Sequence, residues 1–189
     1  EWRVLDKKDG EILLLSEYGL DAQPFDTSGK SRVDWKDSTI RKWLNDDFYN
    51  SAFSEKEKEN IVESKSEGFE EYNTSMNLTG GGKPYAYLER EIEDKVFLLS
   101  NTELCAYFSE DPYPGCYSDP YAHKELLCYP NAYAKQQLET RYQTETCGWW
   151  LCNHVYEDDS VELVSAYGQG SGTSRENIKA NTKSIAVRP

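Results

Sequence analysis

A chain of 189 residues is long enough for one domain with a real core, and no shift in composition divides it. Apolar residues make up 38% but aromatic residues 13%, so the core is expected to rest on Trp, Tyr and Phe, as in irregular α+β folds. The 34 acidic against 21 basic residues leave a net charge of −13, which disfavours nucleic acid and acidic membranes as partners, and no apolar run approaches the ~20 residues of a membrane-spanning helix.

Trp2 to Asp6 and Glu11 to Glu17 flank Asp9-Gly10 and predict a β-hairpin. Residues 19–34 are polar, with Pro24 and Gly29, and read as a long surface loop. Ile40, Trp43, Leu44 and Phe48 form one apolar helical face, capped by Asp37 or Ser38. A second helix should start at Ser54, where Ser54 and Glu57 fit a capping box, and end near Ser64. Thr79-Gly80-Gly81-Gly82-Lys83-Pro84 lacks the flanking strand and closing hydroxyl of a phosphate loop and reads as a plain loop.

Val96 to Leu99 suggests a short buried strand, and Ser100 and Glu103 a second capping box. Residues 111–130 are irregular, and Asn131 to Leu138 predicts a short helix. Trp149 and Trp150 project to opposite faces of an extended segment, so that strand must be covered on both sides. Val161 to Ala166 and Ser184 to Val187 are the strands expected beside it.

Several motifs occur together in order: Trp35-x-x-Ser38-x-x-Arg41-x-Trp43-Leu44-Asn45, Val96-Phe97-Leu98-Leu99-Ser100, Trp149-Trp150-Leu151 and Val187-Arg188-Pro189. Over nearly the whole chain they resemble a bacterial family of unknown function marked by S-x-x-R-x-W-L-N, V-F-L-L-S, W-W-L-R-S and G-V-R-P. Cys152, Asn153 and Ala186 replace the arginine, serine and glycine of that pattern. That family looks related to the formylglycine-generating-enzyme (sulfatase-modifying-factor) branch of C-type-lectin-like folds. The resemblance implies an α+β domain over residues 1–189, with short twisted antiparallel sheets, a few short helices, long loops and adjacent N- and C-terminal strands. It implies no activity. The chain opens on Glu1-Trp2 within a strand pattern, so it is expected to be a domain cut from a longer exported protein, located outside the cell or at its surface.

Five cysteines suit an exported protein with one or two bridges. The pairing expected is Cys105 with Cys116 and Cys128 with Cys147, leaving Cys152 spare, although spacing alone leaves the connectivity open. Cys147 and Cys152 share the C-x4-C spacing of the copper-binding pair in formylglycine-generating enzymes, and thiolates suit Cu(I), but the sequence around that pair is absent here. A zinc set of Cys128, Cys147, Cys152 and His154 lacks the C-x2-C spacing of structural zinc sites. His123 and His154 read as surface residues, since no G-x-S-x-G elbow accompanies them. No catalytic residue and no required cofactor is expected. Ca2+ near Glu157 to Asp159 is the one metal the acidic runs suggest.

Residues 154–182 are rich in Tyr, Asp, Ser, Gly and Asn and lie between core strands, a composition suited to recognition. The expected function is a non-enzymatic binding or display module for carbohydrate or protein. Its contacts would come from Tyr156, Asp158, Asp159, Tyr167, Gln169, Arg175 and Asn177. The alternatives are a copper- or thiol-dependent oxidase using Cys147 and Cys152, and a purely structural domain whose only partners are the other domains of its parent chain.

Overall fold

The computed structural model describes residues 1–30, 33–65, 92–108, 124–139, 145–154, 161–168 and 180–189. The organising element is β7 (Trp149–His154), whose side chains alternate between two core clusters. Trp150 and Cys152 pack with Phe25, Trp35, Leu44 and Leu163 on one face, while Trp149 and Leu151 pack with Leu15, Leu99, Leu104 and Val164 on the other. Both indoles are fully buried, and each N–H finds a carbonyl: Trp149 Nε1 donates to Leu126 O at 3.1 Å and Trp150 Nε1 to Gln23 O at 3.0 Å. Both edges of β7 are used as well. It pairs antiparallel with β8 (Val161–Val164), and on the other side Trp149 bridges Ala186, with Trp150 N–H donating to Ala186 O at 3.1 Å. The expected strand over Ser184 to Val187 reduces to bridges at Ala186 and Val187.

The N-terminal hairpin pairs β1 (Trp2–Lys8) with β2 (Glu11–Ser16). Asp9 and Gly10 both have positive φ, 53° and 88°, as a two-residue turn matched to the strand twist requires. β3 (Tyr18–Gly19) lies parallel to β6 (Tyr129–Pro130), so the sheets are not all antiparallel as expected. Residues 20–26 correct the expectation of a surface loop. Ala22, Phe25 and Asp26 are buried, because Phe25 fills the space between Trp35 and Trp150, its ring centre 6.2 and 6.0 Å from theirs.

The helix after Ser38 runs as α1 (Thr39–Trp43), a π-turn over Leu44–Phe48 and α2 (Tyr49–Ala52). Ser38, not Asp37, caps it, its Oγ accepting from Arg41 N–H at 3.3 Å. Ile40, Leu44 and Phe48 are buried, but Trp43 is only half-buried against Phe48, because it sits at the margin of the apolar stripe. The Ser54–Glu57 capping box opens α3 (Glu55–Lys58). That helix stops well before Ser64, which instead begins β4 (Ser64–Lys65), paired with β5 (Glu93–Asp94).

Val96, Leu98 and Leu99 are buried but form no strand. Their backbone is held by side-chain and single bonds instead of a ladder. Asn45 Oδ1 accepts from Lys95 and Val96 N–H, Asn45 Nδ2 donates to Val96 O, and Leu99 O accepts from Cys152 N–H. The Ser100–Glu103 box then opens α4 (Asn101–Phe108), and Asn131 caps α5 (Ala132–Gln137). Among the described residues no helix is long and apolar enough to cross a membrane.

Replacing Trp150 with Ala is expected to cost about 3–5 kcal/mol, and replacing half-buried Trp43 about 1–2 kcal/mol. Urea unfolding of the two variants checks the order; a Trp150→Ala protein with a wild-type midpoint removes β7 as the organising strand.

Candidate functional site

Of the expected recognition residues, only Tyr167 lies within the described structure. It follows β8 in a tight turn that Gly168 N–H closes on Ser165 O at 3.0 Å, with Gly168 at φ 74°. The turn is anchored from below: Ala166 is buried, and its carbonyl accepts from Thr146 Oγ1 at 2.7 Å. Tyr167 itself is 55% exposed. A rigid, dry stem therefore presents a solvent-facing phenol. Tyr156, Asp158, Asp159, Gln169, Arg175 and Asn177 lie outside the described residues, as do Glu157, His123 and the glycine run at 80–82.

The cysteines separate into two places. Cys128 and Cys147 oppose each other on an isolated antiparallel bridge, but both thiols are free and the expected disulfide between them is not formed. Both are buried, and Cys147 Sγ donates to Cys128 O at 3.5 Å. Cys116 and the Cys105 side chain lie outside the described residues. Cys152 packs in the other cluster, two-residue alternation having turned it away from Cys147. Burial, with Glu103 and Glu162 nearby, pushes its thiol well above the ordinary value. Cys147, which precedes β7, and Cys152 on it thus pack in different clusters, and Cys128 lies with Cys147. Among the described residues no group of three or more His, Cys, Asp and Glu side chains converges as a metal site.

Among the buried charged groups that the sequence reading did not single out are Asp94 and Arg188. Asp94 accepts from Trp35 Nε1 at 2.9 Å and from Arg41 Nε at 2.8 Å, so the spacing of Trp35, Ser38, Arg41 and Asn45 lets them cap the helix and tie it to residues 94–96. Arg188 is completely buried, its Nε donating to Ser16 O at 2.8 Å and its guanidinium 4.9 Å from the Trp149 ring centre. The only signal for it was an arginine directly after an apolar run, in Val187-Arg188-Pro189.

With this geometry in hand, the motif order can be set beside known families. A family model described as "Domain of unknown function (DUF6273)" matches residues 9–189. The chain belongs to this family. No curated protein and no solved structure matches it. The DUF6273 match takes in β2, both capping boxes, β7 and the Arg188 segment.

One ionisable group of the DUF6273 core gives a pH signature. Burial raises the Glu103 carboxyl above its ordinary value, opposed by hydrogen bonds from the Ser100 N–H and hydroxyl. Since the folded value lies above the unfolded one, its contribution to stability is full in acid and is lost as pH rises through the folded value. Glu103→Gln keeps a capping side chain but cannot ionise. The variant is expected to lose less stability than the wild type between about pH 4.5 and pH 8, read from urea midpoints.

Proposed function

We propose that this DUF6273 domain is a non-enzymatic binding or display module, exported by a bacterium to its surface or surroundings, with a carbohydrate or protein ligand. The observation that carries the reading is Tyr167, exposed at the end of a stem whose neighbours Val164 and Ala166 are buried. Loops that leave a rigid strand pair can vary in sequence and make contacts without weakening the core. Tyrosine among small polar residues offers broad contact area at low entropic cost, and residues 154–182 have that composition.

The same reading takes the fold as C-type-lectin-like and akin to formylglycine-generating enzymes. It is supported by the meeting of the N-terminal hairpin with residues 187–189: Ser16 N–H donates to Pro189 O at 2.7 Å, and Asp21 bridges Val187. The ligand surface then comprises Tyr156, Asp158, Asp159, Tyr167, Gln169, Arg175 and Asn177.

A glycan array and a screen of extracellular proteins identify the ligand, and single variants locate the surface. Tyr156→Ala and Tyr167→Ala are each expected to weaken capture by about 1–3 kcal/mol while leaving the melting temperature nearly unchanged. If both variants bind as the wild type does, the surface is not at these loops. If Tyr167→Ala instead melts early, the tyrosine is a structural residue.

A further inference from the structure

Cys128 and Cys147 sit beside a buried charge that the rest of the core does not satisfy. Residues opposed on an antiparallel bridge have Cα atoms about 4.5–5.5 Å apart, within the range a disulfide spans. The backbones are joined at this point, Cys147 N–H donating to Cys128 O at 2.8 Å. Both sulfurs also lie over the same backbone atom. A methyl group on Gly19 would stand 3.3 Å from Cys147 Sγ, 3.5 Å from Cys128 Sγ and 2.8 Å from Ala186 Cβ. Glycine at this position leaves the two thiols their room.

Arg188 is the second, independent observation. It is fully buried, and its Nη1 and Nη2 find no hydrogen-bond partner among the described residues. A guanidinium in an apolar interior is costly unless an anion stands near it. The carboxylate closest in the sequence to its backbone contact, Glu17, is already engaged by Arg3 at 2.6 and 3.0 Å. The S–H of Cys147 and the positive charge of Arg188 together pull the Cys128 thiol below its ordinary value, against the effect of burial. Cys128, with Glu17 and Cys147 after it, favours the charged form of the Arg188 guanidinium.

We propose that Cys128 and Cys147 are a redox-active dithiol that closes to a disulfide by exchange with a small-molecule disulfide and reopens under a thiol reductant, with Arg188 as the positioning residue that sets its potential. In the exchange a local opening exposes the fully buried Cys128, whose thiolate attacks one sulfur of the small disulfide, and that S–S bond breaks to expel one thiolate. The sulfur of Cys147 then attacks Cys128 in the mixed disulfide and expels the second. The two protein sulfurs lose two electrons and the small disulfide gains them, leaving as two thiols. One of their protons comes from Cys147 and the other from solvent. Closure removes the anion beside Arg188, so the guanidinium favours the reduced pair and keeps the disulfide reducible, unlike a permanent structural bridge.

The whole chain is equilibrated in mixtures of reduced and oxidised glutathione, quenched in acid, alkylated and mapped without reduction. The expected result is a Cys128–Cys147 linked peptide that grows with the oxidised share and disappears when dithiothreitol is added to the native protein. The linked form should melt roughly 5–10 °C higher. The proposal is overturned if both thiols stay free at every ratio, in native protein and in protein refolded from urea with oxidised glutathione. It is equally overturned if the cysteines link to others, or if the link resists dithiothreitol in the folded state. For Arg188, Arg188→Gln should move the exchange constant about tenfold toward the disulfide, and Arg188→Lys should restore it. An unchanged constant in folded Arg188→Gln removes Arg188 from the proposal. Should Arg188→Gln not fold, the constant measured in Arg188→Lys against that of the wild type, and the mapping of the wild-type chain, still decide it. None of these outcomes depends on ligand capture at the Tyr167 loops.

Discussion

Two adjacent tryptophans on one strand demand cover on two faces, and most of this molecule can be understood as the means of providing it. Neither indole can be left half-wet without giving up a large part of the stability of the domain. Trp150 draws in the helix at residues 39–52, the segment 96–98 and, from the other end of the chain, Phe25. Trp149 draws in Leu15, Leu99, Leu104 and Leu126. The covering residues come from segments far apart in the sequence, so the described parts of the chain return to β7 from both sides. The indole N–H groups add direction to what burial alone leaves loose, since each must meet a particular carbonyl.

The buried charges show two ways of managing desolvation. Asp94 is surrounded by donors: the Trp35 indole N–H, from the turn just before the helix, and the Arg41 guanidinium, on the helix itself, satisfy its oxygens. That arrangement turns a buried carboxylate into a specific joint between two segments distant in sequence. Among the described residues Arg188 meets the Ser16 carbonyl and the Trp149 ring, and its Nη1 and Nη2 find no hydrogen-bond partner there. A fully satisfied charge reads as architecture. An incompletely satisfied one beside a pair of thiols reads as chemistry.

The exposed stem at Tyr167 and the buried dithiol lie on either side of the same short turn, since Thr146 anchors Ala166 and precedes Cys147. The Tyr167 turn of the proposed surface is therefore fastened to buried residues. Such an arrangement lets the loops evolve while the stem keeps its geometry.

Local signals determined a good deal of this protein. Asp9-Gly10 specifies the hairpin, Ser54–Glu57 and Ser100–Glu103 specify helix starts, and the Trp149-Trp150 pair specifies a strand covered on both faces, because turns, caps and side-chain alternation depend on neighbouring residues only. Of the candidate recognition residues, Tyr167 could be chosen from composition, but its exposure depends on a turn fastened by Thr146. Only the tertiary structure decided what long-range contacts control. Residues 20–26 look polar and yet enter the core, because the space beside Trp150 admits Phe25. Val96 to Leu99 looks like a strand, but Asn45 takes over the bonds a ladder would have made. A Cys128–Cys147 disulfide was expected, and Cys147 was also weighed with Cys152; the backbone bridge sets Cys147 opposite Cys128 with both thiols free, and Cys152 packs in the other cluster. Arg188 was invisible as a buried cation, because burial is a property of what surrounds a residue, and its surroundings come from residues 16, 128 and 149.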